Sequence, residues 1–226
     1  MNHYLRAAGA AVVLFASPAF LHAAAIDVFV DRAYGSTENT GASGVVQLEF
    51  GDAGVYDILS VTIENTTPAW IGSSLTAVGL ELPDPLLAQM GFAPGGKSAY
   101  FDQLTFDVPV SPGWLNAPGG YDLMITSDKS FEGGSASGAP TAGESQTVVL
   151  RLGDTGMTPD QLRSLVLDYW DAMPAPCAIA RFQAIGRCEI SDKVRGDVPD
   201  PATLTILLAG GGVWGTCGNR RRKIRA

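Results

Sequence analysis

Apolar and polar residues alternate in five separate runs between Val46 and Leu152. Val46, Leu48 and Phe50 are interleaved with Gln47 and Glu49. Leu59, Val61 and Ile63 are interleaved with Ser60, Thr62 and Glu64, and Val78, Leu80 and Leu82 with Ala77, Gly79 and Glu81. Tyr121, Leu123 and Ile125 repeat the pattern, as do Val148, Leu150 and Leu152. Successive side chains of a strand point to opposite faces, so each run predicts a half-buried strand. Turn residues bound them: Gly51-Asp52, Asn65-Thr66-Thr67-Pro68, Pro83-Asp84-Pro85 and Ala142-Gly143-Glu144. Gly133 to Gly143 reads as a loop, and Asp192 to Asp200 as a short spacer. One helix is expected. Thr158-Pro159-Asp160-Gln161 has the pattern of a capping box with Pro in the first turn, and Leu162, Leu165 and Val166 then share a face up to about Trp170. Short strands with one polar face predict an all-β body, a single immunoglobulin-like or jelly-roll-like β-sandwich.

The two ends of the chain follow a different pattern. Met1 to Ala25 carries Arg6, then the apolar run Ala7 to Phe20, then small residues at Ala23-Ala24-Ala25. This is the pattern of a Sec signal peptide, with cleavage expected after Ala23 or Ala25. Ala202 to Gly218 is an uncharged run, followed at once by Arg220, Arg221, Arg222 and Lys223, with Arg225 beyond. As a helix the run rises about 25 Å, at the short end of what spans a bilayer. Three consecutive glycines, Gly210 to Gly212, argue against a buried helix of a soluble fold. Cations beside a span favour the cytoplasmic side, so the preceding body is expected outside. Gly211 and Gly215 form a GxxxG pair, which in so Gly-rich a run is as readily composition as a helix interface.

The order of Pro199-Asp200-Pro201-Ala202-Thr203-Leu204, an apolar helix and an arginine cluster resembles the PEP-CTERM sorting signal of Gram-negative bacteria. The motif usually reads Val-Pro-Glu-Pro-Ala. Here Asp200 stands in place of Glu and keeps the acid, one methylene shorter. The resemblance implies processing by an exosortase, a membrane-embedded cysteine transpeptidase-like enzyme. It also implies removal of the helix, and release or surface attachment of the body, in bacteria that make exopolysaccharide. Val61 to Thr67 and Ser74 to Pro83 resemble the opening strands of such precursors. Ala180 to Gly186 and Ser191 to Val194 resemble their closing segment, with Arg187-Cys188-Glu189-Ile190 where a Gly-rich stretch is usual. The expected organisation is therefore a signal peptide over 1–25, a body over 26–197 and a sorting signal over 198–226.

Composition narrows the chemistry. Both histidines, His3 and His22, fall in the leader, so the mature body is expected to lack the base of Ser-His-Asp and Cys-His catalysis and the commonest zinc ligand. From Ile26 to Val198 the chain has 22 Asp plus Glu and 9 Lys plus Arg, which argues against nucleic acid as a partner. Cys177 and Cys188 are the cysteines of the body. In an oxidising compartment they could pair, provided that Ala178 to Ile185 is not one straight strand; two separate thiols are the alternative. Asp84, Asp102, Asp107 and Asp122 are candidate carboxylates for a glycosidase pair or a calcium site, with solvated turns and strand faces as the simpler explanation. Trp70, Trp114 and Trp170 would stack on sugar rings if exposed together; core filling is the ordinary role of Trp in a sandwich. Asn65-Thr66-Thr67 has the form of a sequon and reads as a strand-end turn.

The expectation is an exported cell-envelope or extracellular-matrix protein, structural or adhesive, with no catalytic residue, cofactor or metal. Its partners would be the Sec machinery, an exosortase and exopolysaccharide. The precursor would be held in the inner membrane with its body in the periplasm, and the product would pass to the cell surface or medium. A carbohydrate-binding module and a carboxylate-dependent hydrolase are the rival readings.

Overall fold

The computed structural model describes residues 25–108, 120–128, 134–173, 176–186 and 189–199. The leader, the sorting segment from Asp200 and Pro201 onward with its four-cation cluster, Trp114 and Cys188 lie outside the described residues. Among those described, no helix is long and apolar enough to cross a membrane.

Ten strands among the described residues make one antiparallel sheet. They are β1 (Ile26–Val30), β2 (Gly44–Asp52), β3 (Asp57–Asn65), β4 (Ser74–Leu80), β5 (Gly91–Phe92), β6 (Gln103–Val108), β7 (Tyr121–Thr126), β8 (Ser145–Gly153), β9 (Ala178–Ile185) and β10 (Ile190–Asp197). Their order across the sheet is β5-β8-β3-β2-β1-β10-β9-β4-β7-β6. A short α1 (Asp84–Leu87) follows β4, and α2 (Pro159–Asp171) follows β8. The class is all-β, and the five period-two runs are β2, β3, β4, β7 and β8.

The sheet is nearly closed. β4 and β8 are far apart in its order, yet Ser74 bridges to Thr141 and the Leu75 N–H donates to Pro140 O at 3.0 Å. The inward residues of β2, β3 and β8 therefore meet those of β4, β7 and β9 in one core, which includes Phe50, Leu59, Leu80, Leu123 and Phe182. The seam is fastened by Asn65, which is fully buried. Its Nδ2 donates to Ser73 O and Ser73 Oγ at 3.1 Å and to Pro140 O at 3.0 Å, and its Oδ1 accepts from the Thr67 N–H at 3.1 Å. Asn65 of the sequon-like triplet is thus the end of β3, with its amide turned inward. Helix α2 caps one side of the core with Leu162, Val166 and Trp170. Its capping box forms as expected: the Gln161 N–H donates to Thr158 Oγ1 at 3.3 Å, and the Thr158 N–H to Gln161 Oε1 at 2.8 Å.

Two sequence expectations need correction. Alternation in β4 implied one solvated face, but every residue of β4 is buried. The strand lies between β9 and β7, and its second face is covered by a small cluster of Ala77, Tyr121, Met124 and Ile179. The supposed spacer after Asp192 is strand up to Asp197, held between β1 and β9. Its composition, Ser-Asp-Lys-Val-Arg-Gly-Asp, hides this because the first inward residue is a carboxylate.

That carboxylate, Asp192, is fully buried. A register shift between Ile190 and Asp192 marks the start of the inward face of β10. The loop 36–40 wraps the side chain. Oδ1 accepts from Ser36 Oγ, the Thr37 N–H and hydroxyl and the Glu38 N–H; Oδ2 accepts from Ser36 Oγ and the Thr40 N–H and hydroxyl, all within 3.1 Å. Burial by itself pushes the acid up, but the hydrogen bonds from Thr40, Ser36 and Glu38 outweigh it and hold Asp192 below its ordinary value.

Asp192→Asn turns an amide N–H₂ toward donors. It is expected to lower the unfolding free energy by about 3 kcal/mol, and so the Tm by roughly 6–12 °C. Because the native value is depressed, the wild-type advantage is full above the ordinary aspartate value of 3.8 and shrinks as pH falls through the native one. Thermal unfolding at neutral pH and in acid checks both the size and the sign.

Candidate functional site

At one end of the roll two acids, Glu81 and Asp122, meet. Glu81 directly follows β4, and Asp122 is the second residue of β7. Because β4 and β7 run antiparallel with Leu80 opposite Leu123, the two acids face each other. Four elements converge on Glu81. Its N–H donates to Cys177 O, just before β9, at 2.9 Å. Its carbonyl accepts the indole Nε1–H of Trp170, in the last turn of α2, at 2.7 Å. Its carboxyl hydrogen-bonds to Asp122, and Asp122 Oδ2 accepts the N–H of Leu82 at 2.9 Å.

Glu81 is only 7% exposed. Burial, then the hydrogen bond and the negative charge of Asp122, push its carboxyl up to about 8. At neutral pH Glu81 is therefore an acid whose O–H donates to Asp122. Tyr121 and Tyr169 beside the pair are pushed up as well, in both cases first by burial; Glu81 adds to both, and Asp122 and Asp84 to Tyr169.

The carboxylates singled out from the sequence are scattered. Asp84 is exposed in the first turn of α1, Asp107 is exposed with a positive φ on the edge strand β6, and Asp102 is half-buried just before that strand. Asp122 meets another acid, Glu81. A glycosidase holds its two carboxyl groups about 5 Å or more apart so that sugar or water fits between them. A directly hydrogen-bonded pair does not have that spacing. A separate hollow of about 320 Å³ lies between the β2–β3 turn and the start of α2, lined by Asp52, Asp57 and Asp154 among others. Asp57 is engaged by Thr155, and among the described residues no group of acids, His or Cys is arranged to hold a metal ion.

The tryptophans divide. Trp170 fills core at 7% exposure, as expected of a Trp in this fold, whereas Trp70 is 85% exposed. Trp70 sits on the loop 66–73, whose base is the Asn65 network, and the neighbouring Ile71 packs against the core. Cys177 carries a free, buried thiol, and Cys188, with which it could pair, lies outside the described residues. Ala178–Ile185 is one strand, which at about 3.3 Å per residue separates its ends by roughly 25 Å. Burial, then the charge of Asp197, push that thiol up. It lies 3.6 Å from Gly196 O and 3.8 Å from Asp197 Oδ1, where the chain leaves β10. Of the sorting motif, only Pro199 is among the described residues, half-buried just past the sheet.

A comparison with protein-family models, with curated proteins and with solved structures finds no match. Sequence reading missed Glu81 because an acid at an alternate position of a strand reads as solvent-facing. The available hint was its setting, Leu80-Glu81-Leu82-Pro83, at the end of an unusually apolar run.

Between the ordinary glutamate value of 4.5 and about 8, the native state holds one more proton at Glu81 than the unfolded chain does. Stability from this group therefore falls as pH rises through that window. Solvent on the Asp122 side screens part of the effect, leaving on the order of 2 kcal/mol. Glu81→Gln removes the slope. The variant's Tm relative to wild type is expected to rise from pH 5 to pH 8 and then level off, which thermal unfolding across that range measures.

Proposed function

We propose that the protein is an exported, exosortase-processed component of the cell envelope or extracellular matrix, with a structural or adhesive role and no catalysis. The observation that carries this reading is the polarity of β10. It is an interior strand, paired with β1 and β9, and Val198 and Pro199 follow it directly, with Asp200-Pro201 next in the sequence. A membrane segment starting there would be joined directly to a rigid body. The strands are antiparallel, so β10 points toward the end of the roll that carries Glu81 and the β2–β3 turn. The loop 66–73, between the end of β3 and the start of β4, lies at the other end. On this reading the precursor stands in the inner membrane with its body in the periplasm and Trp70 directed away from the bilayer. The processed form then passes to the surface or the medium.

We take the finer fold to be the jelly-roll-like sandwich rather than the immunoglobulin-like one. Support comes from the pairing of β1 with β10, β3 with β8 and β4 with β9, which joins the first half of the chain to the second.

A second reading, a carbohydrate-binding module associated with exopolysaccharide, is favoured by one observation: Trp70 is displayed on a loop fixed at its base. A preformed aromatic platform loses little entropy on stacking against a sugar.

Mass spectrometry of the exported protein tests the first reading. The expected C-terminus lies near Pro199-Asp200-Pro201, and a mature form that still ends in the intact Arg220–Arg225 cluster would make the tail a permanent anchor. Trp70→Ala tests the second. It is expected to weaken retention on the host's exopolysaccharide about tenfold without changing the Tm, and unchanged retention would leave the structural role alone.

A further inference from the structure

The Glu81–Asp122 pair is built into the joint that holds the end of α2. The helix is tied to the sheet at its C-terminal turn by the Trp170 indole on Glu81 O, while Leu162 and Val166 hold its earlier turns in the core. The same residue that accepts the indole carries the acid that meets Asp122. Asp122 on β7 meets this acid, and Tyr121 on β7 and Tyr169 on α2 feel its charge; Asp84 on α1 adds charge at Tyr169, and the Cys177 thiol before β9, which lies against Gly196 O and Asp197, adds charge at Tyr121. All are acids, so none neutralises a second negative charge. The cation recorded nearby, Arg195 of β10, acts on Tyr121.

We infer that the Glu81–Asp122 pair is an alkaline release for the C-terminal turn of α2. Loss of the shared proton sets two like charges against each other at the point where Trp170 is fastened to the sheet, and the helix end comes free while the strands stay paired.

The step is simple in chemistry. The Glu81 O–H bond breaks, the proton goes to solvent base, and the hydrogen bond that joined the two carboxyl groups becomes a repulsion between two carboxylates. Glu81 is enclosed at 7% exposure, so its side chain has little room to swing away, and the repulsion falls on the Glu81 backbone and on the Asp122 side chain. A shift of the first strains the Trp170 contact, and a shift of the second strips the Leu82 N–H of its acceptor. The sheet is buffered because Leu80 and Leu123 remain paired and β4 is buried on both faces. The device does not depend on the sorting or adhesion reading above, since it uses only groups within the body.

The test is the indole Nε1–H resonance of Trp170 in the full-length ¹⁵N-labelled protein, assigned by Trp170→Phe and followed from about pH 6 to about pH 10. In the wild type the resonance is expected to shift and broaden with a midpoint near 8, with strand amides unchanged. In Glu81→Gln it should stay put. In Asp122→Asn the midpoint should move to lower pH, because the charge that holds the Glu81 proton is gone. A wild-type indole indifferent to pH overturns the proposal, and so does a Glu81→Gln protein that responds as the wild type does. Should Glu81→Gln not fold, an Asp122→Asn midpoint equal to the wild type's overturns it.

Discussion

The apolar face shared by β2, β3 and β8 has to be covered, and α2 is too small to cover it alone. The sheet covers it by curling until β4 meets the turn that leads into β8. Burial of side chains such as Phe50, Leu59, Val61 and Ile63, each fully enclosed, supplies the drive, since an enclosed side chain of this size contributes on the order of 2 kcal/mol. The drive is non-directional, however, and does not say where a sheet should close. That choice falls to Asn65. Its amide satisfies carbonyls on both sides of the seam, Ser73 O and Pro140 O, inside a region that excludes water. A seam left one residue out of register would bury those acceptors without donors, at about 1–3 kcal/mol each.

Three buried polar groups show three ways of meeting the same requirement. Asn65 carries no charge and is satisfied by backbone from two segments. Asp192 stays ionised because a whole loop, 36–40, turns its N–H and hydroxyl donors inward onto it. Glu81 instead keeps its proton and donates a hydrogen bond through it to Asp122. The two acids oppose each other in their dependence on pH. Asp192 ties stability to the alkaline side of its depressed value, and Glu81 ties it to the acid side of its raised one.

The ends of the roll differ in character. The end at which β4 stops and β10 leaves the sheet gathers Glu81, Asp122, Cys177 and the last turn of α2, and its contacts are internal. The other end carries the Asn65 seam and, above it, a tryptophan that the protein's own fold leaves uncovered. Fixed base and exposed tip together are what a contact surface requires. On the proposed orientation, that surface is the one presented outward.

The local grammar of the body could be read from the chain alone, because the strand period depends only on neighbouring residues. That is why Val46-Leu48-Phe50, Leu59-Val61-Ile63 and Val148-Leu150-Leu152 fall on the inward faces of β2, β3 and β8, and why Thr158 and Gln161 form the start of α2. The resemblance at Pro199 to Lys223 was equally local. What the pattern could not convey was anything set by partners distant in sequence. β4 is buried on both faces because β7 and β9 flank it. β10 is a central strand despite its polar composition because a loop some 150 residues earlier supplies donors to Asp192. Trp70 is exposed where Trp170 is not. Glu81 looked like one more solvent-facing acid and is instead held well above its ordinary value, since hydrophobic periodicity records which face a residue is on and only the packed structure decides what lies across from it.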